Sequence, residues 1–156
     1  MSTDEIALTS VHSTFRIERY YDAAPARVFH AFADDDAKQR WLVESEGFET
    51  IEYSPDFRVD GTDVYRFRFG DGPEIVNRTT FQEIVPNERL IFSYRMAMAG
   101  EPMSVSLTTV EFVPQGRGTL LVHTEHGAYL DGRDDGTGRE AGTRGLLDAL
   151  ARELGG

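Results

Sequence analysis

From Ser13 to Tyr21 the chain alternates, with Phe15, Ile17 and Arg19 on one side and Thr14, Arg16 and Glu18 on the other. A period of two is that of a strand, whose successive side chains point to opposite faces, so a first strand is predicted there. The pattern then changes. Pro25 can open a helix because its missing N–H would have no partner in a first turn, and Val28, Phe29 and Phe32 follow at i, i+1 and i+4. The acidic run Asp34-Asp35-Asp36 can cap a second short helix by accepting backbone N–H bonds, with Trp41 and Leu42 at its end. The two helices are expected to form a V.

Alternation returns over Phe48–Tyr53, Asp63–Phe69, Ile75–Val85, Arg89–Met98, Val105–Val113 and Thr119–His126, which predicts six strands. Turn chemistry joins them at Asp71-Gly72-Pro73, Pro86-Asn87, Gly100-Glu101-Pro102 and Gln115-Gly116-Arg117-Gly118, lengths that suit an antiparallel meander. From Arg139 the period becomes helical, with Thr143, Leu146, Leu147, Leu150, Ala151 and Leu154 on one stripe. Thr137 and Glu140 have capping-box spacing at its start, and Gly155-Gly156 stands at its end.

The resulting order is β-α-α-β(6)-α. It predicts an α+β helix-grip fold, a curved seven-stranded antiparallel sheet that buries its concave face around the long C-terminal helix. Residues 1–12 read as an N-terminal arm and residues 13–156 as a single domain. No internal repeat or linker interrupts it.

Several segments together resemble one family, the activator of heat-shock-protein-90 ATPase homologues within the START-like, birch-pollen-allergen-like superfamily. They are Phe15-Arg16-Ile17-Glu18-Arg19, Ala24-Pro25-Ala26-Arg27-Val28-Phe29, Arg40-Trp41-Leu42, Glu83 to Leu90, Gly118-Thr119 and Thr124 to Gly132. The resemblance runs nearly end to end, and it implies a hydrophobic tunnel between helix and sheet of the kind that holds lipids, sterols or polyketides. It also implies two departures. The family often has Trp after the glycine of the last helix, where Gly142 is here followed by Thr143, and often Gly where Thr79 precedes Phe81. The first removes bulk at that end of the core, and the second narrows the concave face. The family name further suggests a chaperone or other protein partner, although this chain has one such domain where the eukaryotic co-chaperones carry two.

Composition removes other classes. With 156 residues, 40% hydrophobic, the chain can bury roughly 70% of its unfolded surface in one core. A net charge of −11 repels phosphate backbones and anionic lipid, so no nucleic-acid partner is expected. No stretch reaches the roughly 20 apolar residues of a membrane span, and the N-terminus has no signal core, so no membrane insertion and a cytoplasmic location are expected. With no cysteine and four scattered histidines, no metal site or cofactor is expected. Phosphate loops and nucleophile-elbow motifs are absent from the sequence.

Parity then nominates cavity residues. Leu90, Phe92, Tyr94, Met96 and Met98 share one face of their strand, as do Tyr65, Phe67 and Phe69 of theirs. With Trp41, Phe81, Leu121, Thr143 and Leu147 these are expected either to line a pocket for a small hydrophobic ligand or to fill the core themselves. Trp41 reads either as a gate at the mouth or as a plug between helices and sheet. Gly142 and Gly145, each unfavourable in a helix by about 1 kcal/mol relative to Ala, serve either close helix–sheet packing or extra room. His123 is the leading polar residue, placed to fix a ligand's orientation. Glu125 shares its parity, and the pair is the acid–base candidate of an alternative reading as a cyclase- or hydrolase-type cavity enzyme. The first reading is non-catalytic binding; a protein-interaction module and a homodimer stay open.

Overall fold

Strand β1 (Ser10–Tyr21) precedes helix α1 (Pro25–Ala33) and the four-residue α2 (Asp35–Lys38), which runs on into a π-helical turn at Gln39–Val43. Six strands follow: β2 (Phe48–Ser54), β3 (Thr62–Phe69), β4 (Glu74–Val85), β5 (Arg89–Met98), β6 (Glu101–Gln115) and β7 (Gly118–Leu130). Helix α3 (Arg139–Glu153) completes this computed structural model, which describes residues 8–44 and 47–155. The strands form one curved antiparallel sheet in the order β1-β7-β6-β5-β4-β3-β2, the helix-grip arrangement expected. Register shifts at Thr50/Glu52, Phe81/Glu83 and Met96/Ala97 insert bulges, which bend strands and let the sheet wrap around α3.

Several boundaries move. Ser10, Val11 and His12, read as arm, pair with Leu130, Tyr129 and Ala128 and so belong to the sheet. Residues 1–7 of that arm lie outside the described residues, as does Gly156. β6 begins at Glu101 because the reversal is made by Ala99 and Gly100 alone, at φ 50° and 82°. Positive φ at both central residues is what a tight hairpin requires, and Pro102 is tolerated because it sits beside a bulge. The capping box does not form. Gly138 is the N-cap, Thr137 Oγ1 donates to Asp135 at 2.8 Å, and Glu140 accepts from Arg144 one turn on at 2.8 Å. An acidic neighbour two residues back competes successfully for the threonine. By contrast Asp34 caps α2 as its position suggested, accepting from Ala37 N at 2.9 Å.

The space between α3 and the sheet has two unlike halves. Under α1, Val28, Phe29, Phe112, Leu121 and Leu150 belong to one buried cluster, and the Tyr21 hydroxyl ties α3 down by donating to Leu147 O at 2.8 Å. Burial pushes that phenol up to about 12. Toward β3, β4 and β5 the filling stops and a cavity opens. No helix among the described residues is long and apolar enough to cross a membrane.

Candidate functional site

The cavity, about 1150 Å³ and open at one side, lies between α3, the π-helical turn and the concave faces of β3 to β7. Parity explains its walls. Tyr65 and Phe67 from β3, Phe81 from β4, and Phe92, Tyr94 and Met96 from β5 all project inward, and Tyr65 and Phe67 stack with centroids 4.5 Å apart. On the helix side Thr143 and Leu147 face them. The void exists because α3 offers little opposite these rings. A Cβ built at Gly138, Gly142 or Gly145 would meet no atom within 4 Å, and all three glycines line the cavity. Of the two readings of Gly142 and Gly145, close packing therefore fails: both are exposed and border the open side of the cavity. Thr79 stands in the wall without closing it.

Two nominated residues fall elsewhere. Phe69 has the inward parity of Phe67 but sits one pleat further, at the last position of β3, where it is 59% exposed and rests on Phe48. Parity fixes a face and not the reach of the helix along it. Leu121 is fully buried, but in the solid half beside Phe112, where no void reaches. Trp41 lines the cavity and is fixed in place, its Nε1 donating to Ala31 O at 2.8 Å and its ring edge-on to Phe32 at 5.0 Å. Five per cent exposed, it is a plug.

One end of the cavity is polar. Glu125, 2% exposed, accepts from the Tyr94 hydroxyl at 2.5 Å and from Thr108 Oγ1 at 3.2 Å, and its Oε1 lies 3.1 Å from His123 Nε2. The His123 ring stacks on Phe15, tilted by 7°. Arg139, in the first turn of α3, donates to the Tyr94 oxygen at 2.8 Å and to Asp134 at 2.5 Å. Burial alone would raise the Glu125 carboxyl, but hydrogen bonds from His123 and Tyr94 and the Arg139 charge outweigh it and hold it below the usual range. The Tyr94 phenol is pushed well up, first by burial and then by the adjacent Glu125 charge. Proton and charge are thus fixed, with the carboxylate on Glu125 and the hydroxyl on Tyr94.

This has a sign in acid. As pH falls through the ordinary glutamate range the unfolded chain takes up its proton first, while folded Glu125 stays ionised to lower pH. The contribution is complete above that range and drains as pH falls through the folded value, at about 1.4 kcal/mol per unit of displacement. Urea unfolding from pH 6 to pH 3 is expected to lose stability more steeply in the wild type than in Glu125→Gln; parallel curves would contradict the assignment.

A second polar pair had no place in the sequence reading. Lys38, the chain's only lysine, is 3% exposed, and its Nζ lies 2.8 Å from Asp63 Oδ2 and 5.0 Å and 5.4 Å from the Phe57 and Phe81 ring centres. Both residues line the cavity, as does Tyr53, whose buried hydroxyl has no partner among the described residues. Asp63 was within reach of sequence reasoning, since it shares the parity of Tyr65 and Phe67. Lys38 and Arg139 gave no signal beyond the rarity of lysine. At the rim, Arg40 of the π-helical turn makes a two-pronged pair with Glu153 at the end of α3, at 3.0 and 2.8 Å. Among the described residues no three His, Asp or Glu side chains gather as a metal site would need.

A family model described as Activator of Hsp90 ATPase homolog 1-like protein matches residues 22–155. Among solved structures, the Mll3558 protein of Rhizobium loti is 55% identical, with 94% of this chain and 99% of that one covered at a TM-score of 0.87. A protein from Rhizobium leguminosarum is 36% identical, covering 94% of this chain and 96% of that one at a TM-score of 0.89. An AHSA1-like protein from Aeromonas hydrophila, 22% identical with coverage of 91% and 92% and a TM-score of 0.67, shares the fold. No curated protein matches.

Proposed function

The chain belongs to the Activator of Hsp90 ATPase homolog 1-like family, and from that premise we propose that it binds a small hydrophobic molecule, without transforming it, in the cavity between α3 and the sheet. One observation carries the reading: α3 turns glycines toward an aromatic wall and leaves about 1150 Å³ unfilled. A core meant only to be stable would close such a space, because each lost contact costs dispersion energy and interiors pack to crystal density. Tyr65, Phe67, Phe92 and Met96 supply apolar contact. His123, its Nε2 directed at Glu125, keeps Nδ1 for a ligand's polar group and so fixes orientation. A cytoplasmic location is part of the proposal, on the cysteine-free sequence.

Native mass spectrometry of freshly purified protein tests this. The expected spectrum shows a bound small molecule that is lost on unfolding and returns on adding back the organic extract. A protein that neither carries a molecule nor takes one from an extract of its host would overturn the reading.

One arrangement favours a second reading, the cavity enzyme. A histidine that lines a cavity and has one ring nitrogen hydrogen-bonded to a buried carboxylate can act as a general base. In that case His123→Ala abolishes turnover of the bound molecule while leaving its affinity and the fold intact; unchanged turnover removes the reading.

A further inference from the structure

The convex side of the sheet carries a feature that the cavity does not use. Arg78 and Arg95 are direct cross-strand partners on β4 and β5, and both are exposed. Like charges placed opposite one another in a sheet repel. The chain could easily have relieved this, having 27 acidic residues for 16 basic ones. It does so for other arginines of the sheet: Arg66 is held by Glu74 at 2.6 Å, Arg89 by Glu83 at 3.2 Å, and Arg16 by Glu18 at 3.0 Å. Among the described residues neither Arg78 nor Arg95 is paired with a carboxylate.

Their surroundings follow from the register. One row across four strands reads Val64, Arg78, Arg95, Val105, and the next row on the same face reads Thr62, Thr80, Ser93, Leu107. The rows lie about 7 Å apart, two residues along each strand. Neither contains an acid. The hydroxyls still have protons to give. Thr62 and Thr80 share one hydrogen bond at 3.0 Å, which leaves one of their two O–H groups unused, and Ser93 accepts from Gln82 at 3.1 Å, which leaves its own proton unused. Together with Val64 and Val105 these groups line a shallow depression of about 470 Å³.

We propose that this depression is a second ligand site, specific for a tetrahedral oxyanion of the phosphate type. Two guanidinium groups offer paired N–H donors in a planar fork, the geometry that phosphate oxygens accept in twos. The hydroxyl row supplies further donors, and the two valines flank the charge with apolar surface. The occupant is inorganic phosphate or the phosphate of a small monoester. An extended polyanion or an anionic membrane is disfavoured, since the net charge of −11 repels either at longer range.

The test titrates full-length protein with inorganic phosphate and, separately, glycerol 3-phosphate, in low-salt buffer with chloride-matched controls. Thermal unfolding and phosphorus NMR linewidths are the readouts. Phosphate is expected to raise the wild-type unfolding temperature at millimolar concentration. Arg78→Gln and Arg95→Gln are each expected to weaken binding at least tenfold, and in phosphate-free buffer to unfold no earlier than the wild type, because repulsion is relieved. Arg78→Lys keeps the charge but loses the fork, and binding intermediate between wild type and Arg78→Gln is expected. Equal response to both probes assigns the site to the bare oxyanion, and a preference for the ester assigns it to a phosphorylated small molecule. A wild type indifferent to both, or a double glutamine variant that responds as the wild type does, overturns the proposal.

Discussion

Replacing Lys38 with methionine is expected to destabilise the domain by about 3–5 kcal/mol, the usual cost of breaking a buried ion pair and stranding one charge. The ammonium is 3% exposed, and Asp63, 8% exposed, is committed on both oxygens, to Lys38 at 2.8 Å and to the Asp56 N–H at 2.6 Å. Methionine matches the lysine stem in bulk but gives up the ammonium's place over the Phe57 and Phe81 rings, at 5.0 Å and 5.4 Å, so the stranded carboxylate dominates and the lost cation–π contacts add to it. At about 2–4 °C per kcal/mol for a chain of this size, the unfolding temperature should fall by roughly 6–20 °C. Asp63→Asn should also destabilise by stranding the ammonium, and the double variant Lys38→Met/Asp63→Asn should lose less than the two singles added together. A loss below about 1 kcal/mol in Lys38→Met, the range of an exposed pair, would show that water reaches it. The effect should extend to the cavity. A four-residue helix has no stability of its own, and the ion pair fastens α2, and with it the turn carrying Trp41, to β3.

The same pair shows where sequence reasoning stopped. Period two placed Tyr65, Phe67, Phe92, Tyr94 and His123 on the inner face, because a strand's alternation is a property of its backbone and survives any packing. It misplaced Phe69 and Leu121 because face is only one coordinate. Whether an inward residue meets void, solid core or solvent depends on how far α3 reaches along the strand and on which strands α1 covers. The stripe from Thr143 to Leu154 was legible for the same reason as the strands. The start of α3 at Arg139 was legible too, but its cap was not, because Thr137 had a local competitor in Asp135 that spacing does not weigh. Lys38 and Arg139 enter the site from a short helix and from a helix's first turn, where periodicity says little. Their partners, 25 residues along the chain for Lys38 and 45 for the Arg139–Tyr94 contact, are brought near only by the completed fold.

Thr143→Trp is expected to close the cavity and abolish binding while leaving the domain folded. Thr143 lines the void one turn from the end of α3 that carries Arg139, and its neighbours Gly142 and Gly145 leave the space beside it empty. A tryptophan there brings about 150–250 Å² of apolar surface into contact with the opposite wall. At about 25 cal/mol per Å², each 60 Å² or so of wall that it takes from a ligand weakens binding about tenfold, so a loss of a hundredfold or more is expected. Stability should hold or rise, since void is replaced by contact and the threonine gives up only its hydrogen bond to Arg139 O at 3.0 Å. N-phenyl-1-naphthylamine, a neutral dye that fluoresces in apolar sites, measures the first quantity and urea unfolding the second. Weak dye binding by a variant that unfolds at lower urea would report damage, and Gly145→Leu, which enters the cavity from a second lining position of α3, then decides. A stable Thr143→Trp that binds dye as the wild type does would show that the ligand space lies elsewhere, because a side chain of that size and a ligand cannot occupy one volume.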